Sequence, residues 1–108
     1  MRRVVLTRSA RSDLEQINRY SGTTWGEARR NAYMAAILQR VQRLRIRPMA
    51  SAARDEFVSG MRVARTGRHL VFFLHDAGTV TIVRVVHERA NAKAAIVLAV
   101  KQGIKELR

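Results

Sequence analysis

The sequence predicts an α+β fold in which a helical hairpin lies over an antiparallel sheet, and three observations predict it. A short β-branched and aliphatic run opens the chain, two long segments with apolar residues every three or four positions follow, and three strand-like runs joined by glycine-bearing turns come next. At 108 residues the chain fits one domain, large enough to bury a core without staples. No internal repeat or low-complexity linker divides it.

Arg3 to Leu6 predicts a first strand that ends at Thr7. Ser9 or Ser12 then caps a helix; Ser12 with Glu15 three residues on fits a capping box, in which hydroxyl and carboxylate satisfy the first backbone donors. Ala10, Leu14, Ile17, Tyr20 and Trp25 follow helical spacing, which predicts a first helix to about Thr23. Gly26 interrupts the pattern and Glu27 opens a second helix, along which Met34, Ile37, Val41 and Leu44 recur; Pro48 places its end near Arg47. The tight Trp25-Gly26 connection makes the pair an αα-hairpin. Arg40, Arg43 and Arg47 repeat on another side of the second helix, a guanidinium stripe that is either solvated or turned to a partner.

Residues 49–57 read as loop, and Met61 to Arg65, Arg68 to His75 and Thr79 to His87 as three strands of an antiparallel meander. Thr66-Gly67 and Asp76-Ala77-Gly78 supply the glycines that hairpin turns need. Leu70-Val71-Phe72-Phe73-Leu74 and Val80 through Val86 are apolar on both faces, so the last two strands are expected at the centre of the sheet. The composition changes after Arg89: every earlier basic residue is arginine, whereas Lys93, Lys101 and Lys105 lie beyond. Ala92, Ala95, Ile96, Ala99, Val100 and Ile104 predict an amphipathic helix that packs on the domain or on a partner. The organisation expected is a core domain over 1–89, with 90–108 as its helical tail.

The formal charge of +13, from 21 basic and 8 acidic residues, fits either an anionic partner or a generally basic, solvated surface. Zero cysteines exclude disulfides and thiolate metal sites and agree with a reducing cytoplasm, the expected location. The apolar run at the N-terminus is too short for a signal peptide. The longest apolar stretch, Ala94 to Val100, falls far short of the ~20 residues that cross a bilayer, so no membrane association is expected. There is no glycine-rich phosphate loop or paired-carboxylate arrangement, and His69, His75 and His87 are too scattered for a metal site, so neither metal nor cofactor is expected.

Specific strings carry more. Leu6-Thr7 with Ala10, Asp13-Leu14, Ile17, Tyr20 and Trp25-Gly26 resembles the opening of ParE-type toxins of the RelE/ParE superfamily. Arg54-Asp55-Glu56, Gly60-Met61-Arg62, Gly67-Arg68-His69-Leu70-Val71-Phe72-Phe73 and Val83-Arg84-Val85-Val86-His87-Glu88-Arg89 are similar to the hairpin and final strand of that family, so the resemblance covers about residues 3 to 89. It implies the toxin of a bacterial type II toxin-antitoxin pair, held in a hetero-oligomer by a ParD-like or RelB-like antitoxin whose C-terminal segment wraps around it. ParE-type members poison DNA gyrase; RelE-type members cut messenger RNA on the ribosome.

The two mechanisms need different side chains. Cleavage by a 2'-hydroxyl requires a proton acceptor, a proton donor and cations on the phosphate. RelE-type nucleases carry arginines in the second hairpin strand and near the last strand, and a tyrosine shortly after. Here Arg62 keeps one positive charge, His69 and His87 stand where arginines would be, and Lys93 lies near the tyrosine position. The reading that follows is ParE-like gyrase inhibition. A ribosome-dependent endoribonuclease using Arg62, His69, His87 and Arg89 is the alternative, since histidine serves as acid or base near neutral pH. A non-catalytic basic nucleic-acid-binding module is a third reading. In the leading reading Arg62, Arg68, His69, His87, Glu88 and Arg89 form the target-binding edge, while Arg40, Arg43, Arg47 and Phe72 meet the antitoxin. His69 has a plainer reading as a strand histidine hydrogen-bonded across the sheet, and Glu88 as the partner of another strand's arginine. Ala90-Asn91 departs from the family, whose members continue with methionine-aspartate and end soon after.

Overall fold

The computed structural model describes residues 1–106, with side chains through 101. Strand β1 (Arg3–Leu6) leads into helices α1 (Arg8–Trp25) and α2 (Glu27–Leu44). A 3-10 turn (Pro48–Ala50) and a two-residue strand β2 (Ala52–Ala53) precede β3 (Arg62–Thr66), β4 (His69–His75) and β5 (Thr79–His87); α3 (Ala92–Glu106) follows. The five strands form one sheet in the order β1-β5-β4-β3-β2. The expected antiparallel meander is present as β3, β4 and β5, and β4 and β5 lie at its centre. β1 pairs with β5 in parallel, Val4 opposite Val80 and Leu6 opposite Ile82.

The apolar runs of β4 and β5 are explained by two cores. Val71, Phe73, Val80, Ile82 and Val85 face the hairpin and meet Ile17, Ile37, Val41 and Leu44 from α1 and α2. Phe72, Val83 and Val86 face the other way and are roofed by Ile96 and Ala99 of α3, with Ala92, Ala95 and Val100 at the margin. The amphipathic pattern read for the tail therefore packs on the domain itself; Ile104 lies outside the described side chains. A register shift between β4 and β5, Phe72 opposite Arg84 but Phe73 opposite Ile82, leaves Val83 as an extra residue that re-aims β5.

Four local expectations are corrected. The cap of α1 is Thr7, neither Ser9 nor Ser12: its hydroxyl accepts from the Ala10 N–H at 3.0 Å and donates to the Val83 carbonyl at 2.7 Å. Thr7 ends β1 and is fully buried, so one side chain starts the helix and ties it to β5. Helix α1 runs two residues past Thr23, to Trp25, where Gly26 takes a φ of 87°. Helix α2 stops at Leu44 because its last turn loosens, Arg45 N–H and Ile46 N–H bonding to the carbonyls of Gln42 and Arg43. Arg45 and Arg2 exchange side-chain bonds to each other's carbonyls, which draws the chain away before Arg47. The segment expected to be loop contains β2, whose Ala52 and Ala53 pair antiparallel with Val63 and Arg62.

Candidate functional site

A groove of about 980 Å³ opens between the hairpin and the neighbouring ends of β4 and β5. Its wall is built by the turn at Gly26, which sets Trp25 at the end of α1 beside Tyr33 on α2, rings 5.6 Å apart and nearly perpendicular. Tyr33 in turn meets His69 at 5.6 Å, and His69 meets His87 at 5.5 Å, their strand positions being directly opposite. Tyr20 continues the row beyond Trp25 at 6.4 Å. Five rings from four elements, α1, α2, β4 and β5, thus form one edge-to-face chain along the groove.

Tyr33 is the hub of this chain. Its hydroxyl shares a hydrogen bond of 2.5 Å with Nδ1 of His69, reaches the Thr66 carbonyl at 3.4 Å and accepts the Arg68 N–H at 3.2 Å, spanning helix and hairpin turn. Gly67 makes room for it: φ is +56° there, and an added Cβ would sit 2.6 Å from Tyr33 Cε1. Burial, and then the neighbouring His87, push the His69 imidazole below its ordinary value, which favours the neutral ring. His87 is exposed, and its Nδ1 accepts the Arg89 N–H at 3.1 Å.

One wall of the groove carries a largely buried ion pair, its Asp13 side chain 10% and its Arg84 side chain 21% exposed. Asp13 on α1 accepts from Arg84 on β5 through both oxygens, at 2.7 and 2.8 Å, and its Oδ2 also takes the Val85 N–H at 2.9 Å. Arg84 reaches on to the Ala95 carbonyl of α3 at 3.4 Å, which joins three elements at one guanidinium. At the opposite rim Glu88 accepts from Arg65 at 2.8 Å and from Arg68 at 3.4 Å. The Arg65 hydrogen bond leads in holding the Glu88 carboxyl below its usual range.

The structure gathers His69, His87, Arg68, Glu88 and Arg89 at one edge, and does not bring Arg62 to it. Arg62 lies opposite Phe73, four residues along β4 from His69, roughly 13 Å away at strand rise. Its guanidinium instead holds the Ser51 carbonyl at 2.5 Å, fixing the turn before β2. Phe72, expected at an antitoxin surface, is 2% exposed and packs against Phe57 beneath α3, so it is a core residue. Arg40 lies on α2 and donates to the Arg65 carbonyl, Arg43 is exposed on the same helix, and Arg47 falls past its end with its N–H still bonded to the Arg43 carbonyl. Tyr33, Arg29 and the Asp13–Arg84 pair were not singled out by sequence reasoning. The signal for Tyr33 was its lone hydroxyl among the apolar positions of α2, together with the Gly67 that accommodates it. Among the described residues no group of histidine, aspartate or glutamate side chains could hold a metal ion, and no helix is long and apolar enough to cross a membrane.

The family described as the ParE toxin of type II toxin-antitoxin system, parDE, matches residues 4–92. The chain belongs to this family. Toxin ParE of Escherichia coli is 34% identical over 88 residues, covering 81% of this chain and 85% of that protein. Toxin ParE1 of Caulobacter vibrioides is 29% identical over 89 residues, covering 82% and 92%. Among solved structures, a chain of the chromosomal ParDE TA system from P. aeruginosa superposes with a TM-score of 0.68 at 21% identity, over 81% of this chain and 96% of that one. That likeness is one of fold. The ParE family match stops at residue 92, where α3 begins, so the helix that roofs the second core lies beyond it.

Proposed function

We propose that this chain acts in the cytoplasm as the toxin of a type II pair, inhibiting DNA gyrase and neutralised by a cognate antitoxin. Membership of the ParE family supports the gyrase reading over ribosomal cleavage. The observation that carries it is the state of His69: half-buried, favoured neutral and tied through Nδ1 to Tyr33, with Arg62 a strand length away. A nuclease that activates a 2'-hydroxyl needs its acid, base and phosphate cations around one point. The edge here holds one half-buried histidine hydrogen-bonded to Tyr33 and one exposed one, and its Glu88 carboxylate is occupied by two arginines.

For the antitoxin, the support is a second apolar groove of about 410 Å³ between β1 and the hairpin, lined by Val4, Leu6, Leu14, Leu38 and Val41. Leu38 is 57% exposed there and extends the apolar lining of the groove to the surface. An acidic, partly disordered segment laying an apolar face into this groove would also meet the +13 field of the toxin. The experiment is supercoiling by purified gyrase with increasing toxin. Supercoiling is expected to fall, cleavage complexes to accumulate, and both to be reversed by the antitoxin encoded beside the toxin. Undiminished supercoiling at micromolar toxin, with translated messages cut on induction, would replace this reading with the nuclease.

A further inference from the structure

The groove of the ring chain has a composition that neither the fold nor the gyrase reading explains. Tyr20 is 65% exposed and Trp25 36%, two large aromatic side chains left at the mouth of one groove. The ring planes meet at 77° for Tyr20 and Trp25, 71° for Trp25 and Tyr33, and 66° for Tyr33 and His69. An edge-to-face contact stacks no ring flat on another, and the exposure of Tyr20 and Trp25 leaves part of their surface to a further planar group. The Arg29 guanidinium sits 5.4 Å from the Trp25 ring centre, so a cation already occupies the space over one face.

The charge in the groove points the same way. Arg29 and Arg68 line it, and the carboxylate lining it, Asp13, is consumed by Arg84 and the Val85 N–H. Arg68 is 70% exposed and shares Glu88 at 3.4 Å, a contact that a phosphate can exchange. An acidic peptide without apolar or aromatic side chains would satisfy these cations but bring no partner for the ring faces, whereas a purely apolar segment would cover the rings and bury the arginines unpaired; the acidic segment with an apolar face has its own groove beside β1. A chain that alternates phosphates with planar bases satisfies both. The volume, about 980 Å³, admits more than one such unit.

We propose that this groove binds single-stranded nucleic acid, with unpaired bases stacked on Tyr20 and Trp25 and the phosphates held by Arg29 and Arg68. The site binds and does not cleave, and it does not depend on gyrase being the target. A charged surface alone would bind any polyanion; a stacking groove requires bases, and requires them unpaired.

Trp25 is the sole tryptophan of the chain, so its fluorescence reports the site directly. An oligothymidylate of about twelve residues, within the length that single-strand grooves occupy, is titrated into the full chain beside an abasic oligomer of the same phosphate number, the matching duplex and an oligoglutamate. The single strand is expected to quench Trp25 and to bind ~10-fold or more tighter than the abasic oligomer, and Tyr20→Ala to weaken it by ~5-fold or more. Tyr20 is mostly exposed, so that variant keeps the fold. Oligouridylate in a parallel titration separates the sources: equal binding assigns unpaired bases of either sugar, unequal binding the preferred one, and both support the site. Equal affinity for the abasic oligomer or the duplex overturns the proposal in favour of surface charge, and equal quenching by oligoglutamate overturns it in favour of an acidic peptide. Because the abasic comparison uses the unaltered chain, it decides the matter without any variant.

Discussion

Two arginine-carboxylate clusters border the same groove and do opposite things. Asp13 and Arg84 lie largely buried between α1, β5 and α3, with two parallel bonds and a backbone N–H on one carboxylate. Glu88, Arg65 and Arg68 sit on the open rim, where the arginine side chains are 58% and 70% exposed. In the first, low solvent access makes each bond hard to replace; in the second, water and salt compete on equal terms. Identical chemistry thus provides a lock on one side and an exchangeable surface on the other.

The lock is broken most severely by Asp13→Ala, which strands the Arg84 guanidinium and the Val85 N–H together. A loss of about 3 kcal/mol in urea unfolding is expected. Replacing both members with apolar residues of similar volume, Asp13→Leu with Arg84→Met, is expected to recover most of that loss, because it is the unpaired charge that costs. Gly67→Ala comes next, combining a positive φ with a collision against Tyr33; about 1 to 3 kcal/mol is expected, with loss of the Tyr33 to His69 bond visible in the histidine ring resonances.

Smaller effects belong to the rim. His69 titrates below its ordinary value of 6.5 in the folded protein, so below that pH the unfolded chain binds the extra proton and stability falls as pH decreases. Unfolding measured between pH 7 and about 5 is expected to show this slope, and His69→Gln to flatten it; the remainder is assigned to His75, which is lowered in the same direction by partial burial. Least of all, Glu88→Gln is expected to leave the melting temperature unchanged at physiological salt while raising the salt sensitivity of anion binding at the rim. A large melting shift there would erase the contrast between the two clusters.

The locked parts of the molecule were the more legible in sequence. Ile37, Val41 and Leu44 announced α2 by spacing, and the unbroken apolar runs announced two buried central strands with cover on both sides. Local rules failed where a distant contact decided the outcome. Ser12 with Glu15 had the better capping pattern, yet Thr7 caps α1 because its hydroxyl also reaches Val83, 76 positions on. β2 contains two alanines and no periodicity; only its pairing with β3 makes it a strand. Phe72 looked available because alternation cannot say which face a tail will cover. The site was half legible: His69 and His87 stood out, but Tyr33 belongs to another element and is joined to them only by the fold.

The parallel pairing of β1 with β5 carries a consequence for how the molecule is made. Val4 must find Val80, so the first strand emerges during synthesis long before its partner exists. The hairpin helices meanwhile have no sheet on which to bury Ile37 and Leu44, and a pairing of such long loop closure forms late. The groove, which needs α1 and α2 on one side and the ends of β4 and β5 on the other, comes into being only when the last strand docks. A fragment that lacks β5 therefore lacks the groove as well, and the site and the finished fold arrive together.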